Sequence, residues 1–361
     1  PVPQAFFSPP SIVRAMWDAL AHVGCEGGHV LEPAMGTGMF WGAMPPDLAF
    51  GSSLTGVEMD GISGRIARQL YPASNIIIKR LQRANLPEDS FDIVIGNVPF
   101  GQAPVNDSSL PAYLTNSIHT YFVAKSLQLV RPGGLVALLV SRYFMDSKDS
   151  RARERLAETS KLLAAIRLPN DTFKKLAGTE ALADLLIFQR TGEPDDDPDW
   201  VQTKLVKLTD PLTDEVHEIR INQRLADYED YMMLGKPIAT SSAYGPTFDL
   251  VWHSKKPVYK SLPDALRYLL PSEPVYSGEP VAYEPPAQVD DGIQEGAYFF
   301  GSDGRLLQNQ NGQQVAVQGA KTTIARIAGM VKVRDAARIL LEKNLEGPDV
   351  EVAPSQKALV L

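Results

Sequence analysis

Up to Arg190 the chain alternates short β-branched and apolar runs with stretches whose apolar positions recur every three to four residues. The first pattern predicts strands buried on both faces, and the second predicts amphipathic helices. Strands are expected at 29–32, 54–58, 75–81, 91–96, 135–141, 162–168 and 183–189. Helices are expected at 11–23, 39–44, 61–71, 115–130 and 150–160, the fourth stopped by Pro132-Gly133-Gly134. This rhythm makes residues 1–190 one α/β domain, a seven-stranded, mostly parallel sheet with helices on both faces.

The run Thr191-Gly192-Glu193-Pro194-Asp195-Asp196-Asp197-Pro198-Asp199 joins chain breakers to a block of like charge. It predicts a linker over 191–200 and a domain boundary there. Residues 201–361 read as a smaller, irregular α+β accessory region, rich in proline and in aromatics such as Tyr228, Tyr231, Tyr244, Trp252, Tyr259 and Tyr268. Within it a hairpin is expected near 297–318 and a helix near 324–345.

At 361 residues and 44% apolar, the chain can fill more than one core. Its longest apolar runs, such as 135–140, fall far short of the roughly 20 residues that span a bilayer, so no membrane segment is expected. A single cysteine, Cys25, builds neither an internal disulfide nor a thiolate metal site, which suits a reducing cytoplasm and predicts no metal. The chain opens on Pro1 rather than methionine and is expected to be a fragment of something longer. Charge changes the picture more: residues 1–190 hold 18 Lys/Arg against 17 Asp/Glu, and 191–361 hold 17 against 26. DNA phosphates demand clustered cations, so any nucleic-acid contact is expected to be local rather than spread over a basic face.

The segment His29 to Gly38 is a strand running into a tight glycine turn that opens a helix. Gly36 and Gly38 admit a ligand close to the main chain. A pyrophosphate loop would carry another glycine near 41, where Trp41 stands. Twenty residues past Gly38, Glu58 ends the next strand, where a carboxylate can accept both ribose hydroxyls of a nucleoside. The fourth strand runs into Asn97-Val98-Pro99-Phe100, at the carboxyl edge of the sheet beside the glycine turn. These residue types suit an aromatic exocyclic amine, whose lone pair is delocalised into its ring. The Asn97 side-chain oxygen and the Val98 carbonyl can accept its two protons, Pro99 stiffens the turn, and Phe100 can stack on the base. Only a base taken out of its helix could enter. His119 reads as a packing or capping residue and Trp17 and Trp41 as core, while Arg142, Tyr143 and Lys174 are either solvated or in touch with a substrate backbone.

LEPAMGTGMF, VEMD and FDIVIGNVPFG resemble the cofactor, ribose and catalytic motifs of N6-adenine DNA methyltransferases, and FFSPPSIVRAMWDAL resembles the motif that precedes the cofactor loop in their gamma arrangement. IHTYFVAKSLQLVRPGGLVALLVSRYFMD and AAIRLPNDTFKKLAGTEALADLLIFQR resemble the remaining blocks, so the resemblance runs almost continuously over residues 1–190. More narrowly, NVPFG with IHTYF, RLPNDTF and INQRLADYEDYMMLGKP is similar to methyltransferase modules fused to helicases in phage and mobile-element proteins.

The resemblance implies a class I, Rossmann-like methyltransferase fold with S-adenosylmethionine as cofactor. DNA would be substrate, a helicase domain or subunit would be partner, and the setting would be restriction-modification or anti-restriction. It implies that Phe7, Ser8 and Pro9 flank the methionine moiety, that Glu32, Pro33, Ala34, Gly36 and Gly38 form the cofactor loop, and that Glu58 and Met59 hold the ribose. Leu81 and Gln82 would lie by the adenine ring, and Asn97, Val98, Pro99 and Phe100 would be catalytic. Two positions depart from the family: Val98 stands where proline is usual, and no acidic or aromatic residue lies near Gln82 for the adenine ring. Two other readings stay open, a methylase of the same fold acting on a protein glutamine amide or on RNA, and a non-catalytic module that positions DNA for a fused helicase.

Overall fold

The computed structural model describes residues 8–173, 182–242, 245–252, 258–277, 293, 296–310 and 313–346. Phe7 and Lys174 lie outside the described residues. The chain divides into two compact units, Pro1–Tyr283 and Glu284–Leu361.

Strands β1 (His29–Glu32), β2 (Ser53–Val57), β3 (Asn75–Ile77), β4 (Phe91–Asn97), β5 (Val130–Ser141), β6 (Ser160–Leu168) and β7 (Ala183–Arg190) form one sheet in the first unit. Their order is β3-β2-β1-β4-β5-β7-β6. β7 runs antiparallel to both neighbours, and every other pair is parallel. The chain moves outward from β1 to β3 and then returns across β1 to β4. That reversal opens a crevice at the carboxyl ends of β1 and β4.

Both faces of the sheet are covered, which is why its strands read as continuous apolar runs. Alternate residues feed separate cores: Leu31, Val94, Val136 and Leu138 join the core that holds helix Ile118–Leu129, and Val30, Ile93, Ala137 and Leu139 join the one that holds helix Pro10–His22. Trp17 and Trp41 are core residues, 0% and 4% exposed. The expected strand over 75–81 shortens to Asn75–Ile77, because only those residues pair with β2. Leu81 instead opens a turn of 3₁₀ helix and is buried.

Pro132-Gly133-Gly134 does not stop the preceding helix, which ends at Leu129; it lies inside β5. The β4–β5 register jumps from Phe91↔Val130 to Ile93↔Leu135, so the run bulges out of the ladder. Glycine is required there, since a Cβ on Gly133 would collide with the Ser277 carbonyl and one on Gly134 with that of Asp92.

The 191–200 stretch is held against the sheet domain, and the compact units part later, after Tyr283. Thr191 and Gly192 donate their N–H groups to the Thr159 carbonyl at 3.0 Å, and Asp195 donates to Ala157 at 2.7 Å. Trp200, fully buried, packs edge-on to Phe188 and donates its indole N–H to Asp195 at 2.8 Å. The acidic run that resembles a solvated linker therefore ends in an aromatic anchor. Two antiparallel hairpins follow, β8 (Thr203–Thr209) with β9 (Val216–Asn222) and β10 (Lys236–Ser242) with β11 (Gly245–Val251). Ile219, Ile221, Phe248 and Leu250 join one sheet core, and Leu262 and Leu266 of helix Val258–Leu269 join the other.

In the second unit β12 (Tyr298–Phe300), β13 (Leu306–Gln310) and β14 (Gln313–Ala316) make a three-stranded antiparallel sheet. Helix Lys321–Glu346 joins it through Arg334, whose guanidinium donates to the Tyr298 carbonyl at 2.6 Å. The expected hairpin and helix are both found there, the hairpin with a third strand. Among the described residues no helix is long and apolar enough to cross a membrane.

Candidate functional site

Three strand ends meet at the crevice. Leu31 pairs with Val94, and Glu32 with Gly56, so the carboxyl ends of β1, β2 and β4 lie side by side. Gly96 is in such close contact with the next loop that a Cβ on it would stand 3.3 Å from Pro33 Cδ. Glu32, Glu58 and Asn97 thus come from one rim.

Glu58 follows β2 and is partly exposed. Its carboxylate accepts the N–H of Gly36 at 2.7 Å through Oε2 and that of Asp60 at 2.7 Å through Oε1. The acid at the second strand end is therefore tied to the glycine turn of the first. Each oxygen keeps a second lone pair for a further donor. Gly36 has φ +55° and nothing within 4 Å of where a Cβ would sit, so its Cα faces open space. Gly38 has φ +87° for a different reason than close ligand approach: a Cβ there would fall into the Tyr71 ring. The Tyr71 hydroxyl donates to the Gly38 carbonyl at 2.7 Å, which locks the turn.

Glu32 is the most unusual group. Its side chain is 1% exposed, and burial, followed by the nearby charge of Glu58, pushes its carboxyl well above the ordinary range against hydrogen bonds from the Phe40 and Trp41 main chain. Oε2 is buried without a hydrogen-bond partner. A buried acceptor left over beside a ligand loop calls for a donor, best a cation. Ser8 repeats the theme: it is 3% exposed, and its hydroxyl is buried without a partner. Pro9 caps the first helix by accepting the N–H groups of Ile12 and Val13. Pro33 is buried and Ala34 half-buried in the loop, Met59 is 59% exposed, and Gln82 is half-buried next to the core residue Leu81.

Asn97 is the last residue of β4, paired in register with Leu139 of β5, and its side-chain oxygen is closed off from solvent. Val98 donates its N–H to the Leu139 carbonyl at 3.1 Å and is 1% exposed. Proline could not make that bond. Valine at the second motif position therefore regains from the sheet the rigidity that a second ring would have provided. Pro99 is half-buried, and Phe100 packs partly against the core that holds the first helix.

His119, which the sequence marks as packing or capping, stabilises the turn after the motif. His119, 2% exposed, has its ring hydrogen-bonded to the main chain of Gly101, directly after the motif. Burial lowers its pKa from 6.5 to about 4, so the fold holds neutral imidazole. An unfolded chain takes up this proton below pH 6.5 and the folded chain only near 4, so stability falls as pH drops through that window. The loss should reach about 1 kcal/mol by pH 5.5. Urea unfolding at pH 7 and 5.5 should show a smaller acid loss in His119→Gln than in the parent. Equal losses would refute the assignment.

Residues 65–173 match the family model described as Eco57I restriction-modification methylase. Over 189 residues the chain is 30% identical to the defense against restriction protein B of Escherichia phage P1, a match that takes in 51% of this chain and 8% of that protein. Of solved structures, a modification subunit assigned to a type I restriction enzyme of Vibrio vulnificus is 16% identical, with a TM-score of 0.50 over 86% of this chain and 59% of that one. A protein assigned as a class I S-adenosylmethionine-dependent methyltransferase from Listeria monocytogenes is 20% identical, with a TM-score of 0.46 over 53% of this chain and 64% of that one. The fold is the class I methyltransferase fold. The cofactor of that fold is S-adenosylmethionine, and the orphaned Glu32 and Ser8 oxygens with the open Gly36 turn fit it: a cationic amine, a ribose diol and a close approach each find a counterpart.

Proposed function

We propose that this chain methylates the N6 amine of adenine in DNA, on a base turned out of its helix, with S-adenosylmethionine as donor. The observation that carries the reading is the position of Asn97: the last residue of β4, its carboxamide oxygen buried, on the rim shared with Glu32 and Glu58. The match to a restriction-modification methylase family over 65–173 supports DNA as substrate.

In this reading Glu32 takes the amine of the methionine moiety, with Ser8 and Pro9 beside it and Pro33, Ala34, Gly36 and Gly38 shaping the loop. Glu58 accepts the ribose hydroxyls, Met59 lies alongside, and Leu81 and Gln82 border the adenine ring. When bound, the cofactor supplies a methyl group made electrophilic by its sulfonium. The Asn97 side-chain oxygen and the Val98 carbonyl accept the two N–H groups of the target amine. They draw its nitrogen toward tetrahedral geometry and free its lone pair for attack. Phe100 stacks on the extruded base, and Pro99 and the Val98–Leu139 bond keep the acceptors aimed. No strong base is needed, because the nitrogen becomes acidic once methylated. A helicase domain or subunit, and a restriction-modification or anti-restriction setting, belong to the same proposal, supported by the phage relative.

The test is mass spectrometry of nucleosides after incubation of the chain and S-adenosylmethionine with DNA, RNA and protein in parallel. N6-methyladenine in DNA is expected; methyl transfer only to RNA or to a glutamine amide would overturn the reading. For the cofactor half of the site, Glu58→Gln should weaken S-adenosylmethionine binding by about 10- to 100-fold in calorimetry, the cost of charged hydrogen bonds to the ribose. An unchanged dissociation constant would remove Glu58 from the site.

A further inference from the structure

Beyond the Asn97 motif, the same rim carries an aromatic ring on a fixed cation. β4 and β5 are parallel neighbours with Asn97 opposite Leu139. β5 ends at Ser141, and Arg142 and Tyr143 follow at once, so they emerge on the catalytic edge next to the Asn97–Phe100 turn. Tyr143 is 50% exposed, one of five aromatics left in solvent among the described residues.

Arg142 beneath it is not a mobile surface arginine. Its guanidinium lies 4.5 Å from the centre of the Tyr143 ring and 4.8 Å from that of the buried Phe248 on β11. It pairs with Asp146 at 3.3 Å and donates to the Thr247 hydroxyl at 2.8 Å. Its side chain is only 13% exposed. Long polar side chains give up rotamer freedom when held this way, and these contacts repay that cost by fixing the ring above.

The geometry points to Tyr143 as a stacking platform for a nucleobase of the substrate strand, one that flanks the extruded adenine, with Arg142 as its positioning residue. A half-exposed ring held rigid beside a base pocket offers an aromatic face to any nucleobase, whatever its identity. The cation beneath draws π density inward and leaves the outer face suited to an electron-rich base. The hairpin β10–β11 gains a role too, because Thr247 and Phe248 hold the arginine from a segment outside the 65–173 methylase match.

This inference rests on the proposed DNA reading, and the experiment separates the two. The full chain with S-adenosylmethionine is assayed on a single-stranded and a duplex oligonucleotide, each carrying 2-aminopurine next to the target adenine. The inference expects Tyr143→Ala to raise the KM for DNA about tenfold or more, and to leave 2-aminopurine brighter than the parent does. Tyr143→Phe should restore both readouts, and calorimetric binding of S-adenosylmethionine should be equal in all three, which reports an intact fold. Arg142→Gln should fall between the parent and Tyr143→Ala. If the parent methylates DNA while Tyr143→Ala keeps the parental KM and quenching, the platform is refuted and the DNA reading stands. If the parent methylates no DNA, both fall.

Discussion

Replacing Asn97 with alanine is expected to slow methyl transfer to DNA by about 100- to 1,000-fold and to leave S-adenosylmethionine binding within about twofold. The size follows from where the acceptor acts. An aromatic amine in the ground state keeps its lone pair in the ring, and the Asn97 oxygen gains most as the nitrogen turns tetrahedral and its protons become acidic. An interaction made chiefly in the transition state lowers kcat rather than raising KM when it is lost. Deleting one preorganised group of this kind costs about 2.7–4 kcal/mol. Some activity should remain, because the Val98 carbonyl stays in place, tied through its own N–H to Leu139. Phe100→Ala should act differently: it removes stacking rather than polarisation, worth about 1–3 kcal/mol, and should appear mainly in the KM for DNA. Steady-state kinetics on a defined oligonucleotide distinguish the two. An Asn97→Ala enzyme with parental kcat would end the assignment of this turn as the methyl-transfer site.

Much of this site was legible because parallel α/β topology converts sequence order into place. Strands at 29–32, 54–58 and 91–96 were each marked by an apolar run ending in a polar or glycine-bearing turn. Once they are parallel neighbours, Glu32, Glu58 and Asn97 must share an edge. What periodicity could not disclose are pairings between residues far apart in the chain. Tyr71 closing on Gly38, Val98 held by Leu139 and His119 reaching Gly101 each depend on how elements dock. The hairpins over 203–251 were missed for a related reason: their strands are polar on one side and draw stability from the sheet core through Ile219, Ile221, Phe248 and Leu250. Local pattern at 191–199 was misleading, since a run of aspartates and prolines has the composition of a linker. A single downstream tryptophan, Trp200, decides that it packs. Pro132-Gly133-Gly134 carries a helix-stop signature and serves instead as a bulge, because both glycines lie against carbonyls where no side chain fits.

Arg167→Met is expected to destabilise the chain by about 3–5 kcal/mol, the cost of stranding buried charge. Arg167 on β6 is fully buried between Asp184 on β7 and Asp146 after β5. It donates to Asp184 at 2.7 and 2.8 Å and to Asp146 at 2.9 and 3.1 Å. Both carboxylates pull its pKa up against desolvation, so the guanidinium stays charged at any accessible pH. Without it Asp184, itself fully buried, has among the described residues only the charge of Arg142 to draw on, and Arg142 already serves Asp146. Arg167→Lys should recover only part of the loss, since an ammonium cannot offer the planar fork that spans two carboxylates. The cluster also joins the sheet to the second segment: Asn222 donates its N–H to Asp146 at 2.9 Å, Leu234 donates to the Arg167 carbonyl at 3.0 Å, and Phe248 lies 5.4 Å from the guanidinium. Damage should therefore spread unevenly. Urea unfolding measures the total, and hydrogen exchange locates it: amides of β9, β10 and β11 should lose protection before those of β1 and β4, whose bonds do not pass through the cluster. An Arg167→Met chain as stable as the parent would show that the aspartates neutralise themselves. Uniform loss of protection would show that hairpins and sheet unfold as one cooperative body.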